Sequence, residues 1–455
     1  MKTYDVLVVG SGSGGEIADA ALSHGLTVAW VEKGPLGGTC LNVGCIPSKI
    51  VIHPADRIME ILEAKKLGIT AEIKDVDFQA IMQRAQQPIQ ESHTAMERGI
   101  SHAENLDLYR KEGHFIREYT MMVSGTEITA EKIFLVSGAR PFIPPINGLE
   151  RVPYLTNENV FSLKEKPKDM VIIGGGYIAA EFAHFFSAVG TNVTIFQRGS
   201  RLIPTAEPEI SEVLKKQLEK RINLYLNTEV VDVQPQTESV LVKGKEMKSD
   251  KEITVSAEKV FVAAGRKSNA DLLKVENTGV KTDKQGYIQV NEYLETSKRN
   301  IWAFGDAIGK AMFKHVANEE AGVAWRNAFH EKKTKMDYQV IPYAVFTYPE
   351  IAAVGLTEAE AKKQHQVLVG TTRYSEVAKG GAMMEENGFA KAIVEKQTRK
   401  IIGFHIIGPY APMLIQEVIN AMALGGNIAF ISQGMHIHPA LPELVLRTFG
   451  NLREI

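Results

Sequence analysis

Tyr4-Asp5-Val6-Leu7-Val8-Val9-Gly10-Ser11-Gly12-Ser13-Gly14-Gly15 opens the chain. A short β-branched run ends in glycines, and residues 16–22 then read as helix, so the order is strand, glycine turn, helix. Gly10, Gly12 and Gly15 carry the G-x-G-x-x-G spacing, which lets a pyrophosphate sit against backbone N–H groups at a helix N-terminus. The next strand, Thr27-Val28-Ala29-Trp30-Val31, ends at Glu32, where a carboxylate can accept hydrogen bonds from a ribose diol. The unit recurs at Met170-Val171-Ile172-Ile173-Gly174-Gly175-Gly176-Tyr177-Ile178-Ala179. Ala179 replaces the third glycine, a site that packs helix on strand and tolerates a methyl group. Its second strand, over residues 192–196, ends at Gln197-Arg198. Each unit is followed by a related element, Ile133-Phe134-Leu135-Val136-Ser137-Gly138-Ala139 in the first and Val260-Phe261-Val262-Ala263-Ala264-Gly265-Arg266 in the second. A lone fingerprint is a weak signal; two in order predict an α/β protein with two Rossmann-like dinucleotide-binding modules, the second inserted into the first.

The chain has 455 residues, with 52 basic and 54 acidic side chains and a formal charge of −2. At roughly 150 residues per domain it holds two to four domains. A composition of 44% hydrophobic and 23% charged residues excludes disordered and fibrous classes. Near-zero charge argues against a nucleic-acid partner or an anionic membrane surface. No stretch reaches the apolar run of about 18 residues that a spanning helix needs, and Asp5 interrupts the first strand. A cytoplasmic protein without a secretory signal is therefore expected. Two cysteines cannot form a disulfide framework, so any bond between them is expected to be catalytic. Pro141-Phe142-Ile143-Pro144-Pro145 reads as a linker. From Ile341 onward the pattern changes to strands and amphipathic helices without a phosphate loop, a separate C-terminal α+β domain.

Both cysteines stand in Gly37-Gly38-Thr39-Cys40-Leu41-Asn42-Val43-Gly44-Cys45-Ile46-Pro47-Ser48-Lys49. In an extended chain their Cα atoms would lie far beyond disulfide range, so a bond needs a turn or a distorted helical start, for which Gly44 and Pro47 supply the means. The plain alternative is a pair of small buried apolar residues. Their position just beyond Glu32, close to the first dinucleotide, favours a redox pair. Two thiolates alone lack the further ligands that zinc wants, and no metal is expected. Near the C-terminus stands Met435-His436-Ile437-His438-Pro439-Ala440-Leu441-Pro442-Glu443. Pro439 keeps His438 extended, and Pro442 kinks the segment before Glu443. An imidazole held by a carboxylate gains basicity and a fixed tautomer, which suits a general base working on a thiol. His436 reads as a loop histidine hydrogen-bonded for structure.

The cysteine segment, residues 174–181, Ile301-Trp302-Ala303-Phe304-Gly305-Asp306 and residues 438–443 together resemble the pyridine nucleotide-disulfide oxidoreductases over nearly the whole chain. That resemblance implies a homodimer, with an FAD-binding domain at 1–148, an NAD(P)-binding domain at 149–265, a central domain completing the FAD site at 266–340 and a C-terminal interface domain at 341–455. Electrons would pass between nicotinamide, flavin, the Cys40–Cys45 pair and a substrate disulfide or dithiol. Cys45 would be the thiol against the flavin and Cys40 the thiol that exchanges with substrate, with His438 of the partner subunit as base and Glu443 orienting it. Lys49 and Glu181 match a pair near the flavin N5, a pair whose burial is costly unless both members are present. Asp306 matches the residue at the ribityl chain, and Met312-Phe313-Lys314-His315 matches the backbone donors at the flavin pyrimidine edge. The FAD contacts implied are Gly10, Gly12, Gly15, Glu32, Lys33, Thr39, Lys49, Gly113, Ser137, Gly138, Asp306, Lys314 and His315. Those for NAD(P) are Gly174, Gly176, Tyr177, Ile178, Gln197, Arg198, Arg201, Ala264, Gly265 and Arg266.

Several positions depart from the leading pattern. NAD-preferring members end the second strand of the nucleotide module in a glutamate; here that residue is Gln197, followed by Arg198 and Arg201. Loss of the carboxylate removes repulsion toward a 2′-phosphate that a guanidinium can grip bidentately, so NADPH is slightly favoured, against the alternative that both arginines are solvated loop charges. Tyr177 matches a tyrosine that covers the flavin in glutathione-type reductases, while Pro47-Ser48-Lys49 argues against that group. The leading activity implied is that of a dihydrolipoamide dehydrogenase, free or on a lipoyl domain. The alternatives are an NADPH-dependent reductase of a small disulfide, of mycothione or glutathione type, and a catalytically silent flavoprotein subunit. Mercuric ion reduction is disfavoured because no cysteine lies near the C-terminus.

Overall fold

The computed structural model describes residues 1–454. Its first sheet runs Leu106–Tyr109, Val28–Val31, Lys2–Val9, Thr126–Leu135, Thr120–Val123, Gly113–Arg117. The four leading strands are parallel, and the last two form an antiparallel flank. Ile301–Ala303 joins the same sheet beside Thr126–Leu135, in parallel. The first sheet is thus finished only after a second has been built, and the second module interrupts the first. Val6, Leu7 and Val8 are wholly buried, as expected of parallel strands covered on both faces.

The second sheet is all parallel, in the order Asn223–Leu226, Asn192–Gln197, Asp169–Ile173, Lys259–Val262, Tyr154–Leu155. A three-stranded antiparallel meander over Thr228–Pro235, Val240–Glu246 and Glu252–Ala257 caps it. The two passages between the modules run side by side: Ala139–Pro141 pairs antiparallel with Arg266–Ser268. Pro141 therefore ends a strand, a place where its missing N–H costs nothing, and the proline-rich crossing proper follows it.

The C-terminal domain is a six-stranded antiparallel sheet in the order Pro342–Val345, Ile351–Gly355, Ile401–Ile407, Phe389–Glu395, Val367–Arg373, Arg453–Glu454. Helices Gln416–Ala423 and Glu443–Gly450 lay Val418, Leu444 and Val445 on its face. Lys391, buried on this sheet, pairs with Glu207 at 2.9 Å, Glu209 at 3.0 Å and Glu358 at 2.7 Å. Its ammonium fills the one place where three acidic groups converge among the described residues. A buried charge needs such partners, and here they tie the second module to the C-terminal sheet. No described helix is long and apolar enough to cross a membrane.

Candidate active site

The two glycine loops repeat each other in detail. Gly10 has φ +110° and Gly174 φ +124°, a region that side chains avoid. A Cβ on Gly10 would sit 2.2 Å from the Val136 carbonyl oxygen, and one on Gly174 2.2 Å from that of Ala263. Gly12 and Gly176 have nothing within 4 Å of where a Cβ would be, so both present bare backbone to open space. Helices Gly14–Ser23 and Tyr177–Ala188 follow, pointing their unpaired first N–H groups toward the loops. Gly15 lies under Trp30, and the matching Ala179 is wholly buried, so both serve helix packing.

The first loop opens into a cleft of about 570 Å³. Gly10, Gly12, Glu32, Lys33, Thr39, Cys40, Cys45, Lys49, Ser137, Gly138, Tyr177, Ile178, Glu181, Arg266, Asp306 and Lys314 all line it. A smaller pocket of about 60 Å³ continues beyond Gly10, Glu32, Lys33 and Ser137 to Gly113. Glu32 is already oriented: one carboxylate oxygen accepts from the Ser11 N–H at 2.8 Å and hydroxyl at 2.7 Å, the other from the Gly34 N–H at 2.8 Å. The Ser137 hydroxyl is buried without a partner, and a Cβ on Gly138 would meet nothing within 4 Å. Asp306 lies 3.3 Å from Arg266, and burial pushes its carboxyl above the usual range. A long cleft with bare loop backbone at one point, an orphaned hydroxyl at another and a buried acid at a third fits a flavin dinucleotide.

The other residues named from the sequence lie around the rim of this cleft and at the second loop. The Arg266 side chain, grouped by sequence with the second module, lies on the first cleft: it donates to the Ala139 carbonyl and faces Asp306. The paired crossing strands turn it there. The His315 ring reaches the Pro342 carbonyl at 2.9 Å, while its backbone belongs to the first turn of helix Lys314–Phe329. Lys314 donates to Asn318 at 2.6 Å and to Ser13 at 3.0 Å, bracing that helix against the first loop. Gly174, Gly176, Gln197, Arg198, Arg201, Ala264 and Gly265 are absent from the lining of the first cleft. Gln197 lies against Gly175 and donates to the Arg201 carbonyl at 3.2 Å. Arg198 is exposed, its nearest carboxylate Glu229 at 3.7 Å, and Arg201 has no carboxylate partner among the described residues.

Cys40 sits in helix Gly38–Val43 and Cys45 begins helix Cys45–Glu63, with Gly44 between. A Cβ at Gly44 would lie 2.7 Å from the Thr39 carbonyl oxygen, so only glycine allows the chain to double back this closely. Pro47 occupies the first helical turn, where its missing N–H is no loss. Pro54, deeper in the helix, leaves the Ile50 carbonyl free, and Arg84 donates to it at 3.1 Å. Both cysteines are free thiols, and each shifts the other's protonation. The neighbouring Cys40 thiol lowers the Cys45 thiol to about 7, with further help from Lys49; the neighbouring Cys45 and burial push Cys40 up. Lys49 pairs with the buried Glu181 at 2.7 Å, and the other Glu181 oxygen accepts the Phe346 N–H at 3.0 Å. The Lys49 ammonium stands 4.5 Å from the centre of the Phe346 ring. Burial pushes the Tyr177 phenol up to about 12 where it leans on Phe313.

His438 and Glu443 are joined, Nδ1 to carboxylate, at 2.9 Å. That bond holds the Glu443 carboxyl below its usual range. The imidazole is 71% exposed and lies outside the lining of the cysteine cleft of its own chain. The sequence reading passed over Asn157, which donates to the Val43 carbonyl at 3.1 Å and so ends the Cys40 helix, and Asn269, which donates to the Ser137 carbonyl at 2.8 Å. Asn269 stands three residues after the paired Gly265-Arg266, a signal that was available; Asn157 comes from an irregular stretch with none.

Residues 4–321 match the family model for pyridine nucleotide-disulphide oxidoreductases, and residues 341–448 that for their dimerisation domain. The chain belongs to the pyridine nucleotide-disulfide oxidoreductases. Mycothione reductase of Mycobacterium tuberculosis is 38% identical over 466 residues, covering 100% of both chains. A dihydrolipoyl dehydrogenase of Bacillus subtilis is 33% identical over 97% of this chain and 95% of its own. Among solved structures, the HOCl-induced flavoprotein disulfide reductase RclA of Escherichia coli superposes with a TM-score of 0.87, at 26% identity over 98% of this chain and 99% of that one. This oxidoreductase is accordingly an FAD-dependent enzyme that uses NAD(P)H, with two Rossmann-like regions and a dimerisation domain.

Proposed function

We propose that this oxidoreductase is a homodimer that uses NADPH to reduce a low-molecular-weight disulfide through FAD and the Cys40–Cys45 pair. The observation that carries the reading is the pair of free cysteines that the Gly44 turn brings to one wall of the first cleft, beside the Lys49–Glu181 ion pair, with the thiolate favoured on Cys45. FAD, when bound, supplies the two-electron relay between the nicotinamide and this sulfur pair. Cys45, with Lys49 and Glu181 beside it, is the sulfur on the flavin side, and Cys40 is the exchanging one. A protonated Cys40 is a poor nucleophile, so a base must reach it from outside its own chain. His438 fits that need: its Nδ1–H is spent on Glu443, which leaves Nε2 with a free lone pair on an exposed surface of the dimerisation domain. The partner's His438 would take the Cys40 proton as Cys40 attacks a substrate sulfur. The mixed disulfide forms and the first sulfur leaves as a thiol carrying that proton; the Cys45 thiolate then attacks the Cys40 sulfur, re-forming the Cys40–Cys45 disulfide and expelling the second sulfur as a thiolate that takes its proton from water.

The NADPH assignment rests on Gln197 in place of a carboxylate, with Arg198 and Arg201 beside it. A small disulfide as substrate draws on full-length similarity to mycothione reductase. A second reading, dihydrolipoamide oxidation, draws on the similarity to dihydrolipoyl dehydrogenase. An anaerobic panel of both nicotinamides against mycothione, glutathione disulfide and lipoamide tests the proposal. Turnover of a small disulfide with NADPH is expected; a strong preference for NADH together with turnover of dihydrolipoamide alone would overturn it.

A further inference from the structure

Residues 433–439 connect helix Ala429–Ser432 to the turn before helix Glu443–Gly450 without regular backbone structure. Its side chains face outward with one exception. Met435 is 100% exposed, Ile437 77% and His438 71%, whereas the His436 side chain is 8% exposed. Such a segment has no ladder and no apolar anchor of its own, and ordering it costs roughly 1–2 kcal/mol per residue in backbone entropy alone. Within one chain its side chains are tied at two points, His438 to Glu443 at the far end and His436 in the middle.

The His436 contacts define the fixation. Nδ1 lies 3.0 Å from the Gly434 carbonyl oxygen and Nε2 3.1 Å from a carboxylate oxygen of Glu417. A carbonyl only accepts, so Nδ1 must carry a proton. On the other side one further proton lies between Nε2 and Glu417, on either atom. The ring therefore clamps its own loop through Gly434 and fastens it to helix Gln416–Ala423 through Glu417. Burial pushes the Glu417 carboxyl above its usual range, and the imidazole pulls it back down, so each member needs the other.

We propose that His436 is the positioning residue of the loop that presents His438, holding the base at the distance from the second copy's Cys40 that proton transfer requires. This rests on the reading of His438 as that base. The two histidines, two residues apart, divide the work: the exposed one faces the reacting sulfur and the buried one touches neither substrate nor cofactor.

The test uses the intact dimeric holoenzyme and separates its two half-reactions by stopped flow. A base contributes roughly 10²–10⁴-fold and a misplacement of about 1 Å can cost 10²-fold, so His436→Leu is expected to slow reoxidation by disulfide about tenfold or more. Reduction by NADPH should be unchanged. Glu417→Leu should give the same split. Glu417→Gln should retain near-native rates, because its amide can donate to Nε2 while Nδ1–H stays on Gly434. Backbone hydrogen exchange over residues 433–438 should quicken in the two leucine variants, with the dimer mass unchanged, and remain native in Glu417→Gln. His438→Gln serves as the reference. If it stops the disulfide step while both leucine variants keep native rates and exchange, the positioning role falls alone. If His438→Gln itself leaves the disulfide step intact, the base assignment falls and the positioning role with it.

Discussion

The two glycine loops have the same backbone and opposite surroundings. At Gly10 and Gly174 the chain makes the same close approach to a neighbouring carbonyl, and at Gly12 and Gly176 it leaves the same bare surface. The first loop is then walled in by the nearby cysteine helices and by parts of the chain about 300 residues away, Asp306 and helix Lys314–Phe329. Around the second stand Gln197, the exposed Arg198 with Glu229 at 3.7 Å, and Arg201 with no carboxylate partner among the described residues. Loop geometry decides where a pyrophosphate lies; the walls decide whether the dinucleotide stays. A resident cofactor in the first module and an exchanging one in the second follow from that contrast.

The contrast breaks most openly under mirrored substitutions. Gly10→Val should yield protein without bound flavin and without activity, since a Cβ cannot stand 2.2 Å from the Val136 carbonyl. Gly174→Val meets the same obstacle at Ala263, yet should yield yellow protein that NADPH no longer reduces. Absorbance of the purified proteins and stopped-flow reduction distinguish the two, and flavin loss from both would mean that the modules are not independent.

A second pair of variants sharpens what only the first cleft contains. Cys40→Ser should abolish disulfide turnover, by about 10³-fold or more for loss of a covalent nucleophile, while a long-wavelength band from Cys45 thiolate beside oxidised flavin persists. Cys45→Ser should abolish turnover and the band together. A band that survives in Cys45→Ser would reverse the roles assigned to the two sulfurs.

At the second loop the expected changes are smaller. A charge-assisted hydrogen bond contributes about 1.5–3 kcal/mol, so Arg201→Ala should lower kcat/KM for NADPH about 10- to 100-fold with little effect on NADH. Gln197→Glu should shift the NADPH-to-NADH ratio in the same direction, because a carboxylate there repels a 2′-phosphate and accepts from a ribose hydroxyl. Steady-state kinetics with both nucleotides read the ratio; an unchanged ratio in both variants would return the arginines to ordinary surface charges.

What could be read from the sequence was whatever the chain keeps contiguous. The paired glycine loops, the turn between Cys40 and Cys45, and His438 with Glu443 all lie within short stretches whose spacing states their geometry. The third strand of each module and the separate C-terminal domain were legible for the same reason. Contacts that join distant segments were not. The Arg266 side chain crosses to the first cleft because two strands between the modules run side by side, a pairing that no local pattern announces. Phe346, whose N–H fixes Glu181 and whose ring lies under Lys49, arrives from the C-terminal sheet. His436 reads from its own segment as a plain loop histidine, because the carboxylate that holds it, Glu417, comes from a helix nineteen residues upstream.

The smallest effect concerns protonation, and it bears on why the sulfur pair belongs to the first cleft alone. Cys45 is lowered to about 7 by the neighbouring Cys40 thiol and, after that, by the Lys49 ammonium. A thiol with a depressed folded-state value is thiolate above that value and regains its proton as the pH falls through it, so alkylation of the reduced protein by iodoacetamide should rise with a midpoint near 7. Lys49→Met removes a positive charge and leaves Glu181 buried beside the sulfur, and both changes disfavour the thiolate. The midpoint should therefore move up. Cys40→Ser should also move it up, by exchanging the neighbouring thiol for a hydroxyl held in a different geometry. A midpoint that stayed near 7 in Lys49→Met would show that the neighbouring thiol alone sets it, and the Lys49–Glu181 pair would then be a brace between the cysteine helix and the second module rather than part of the sulfur's electrostatics.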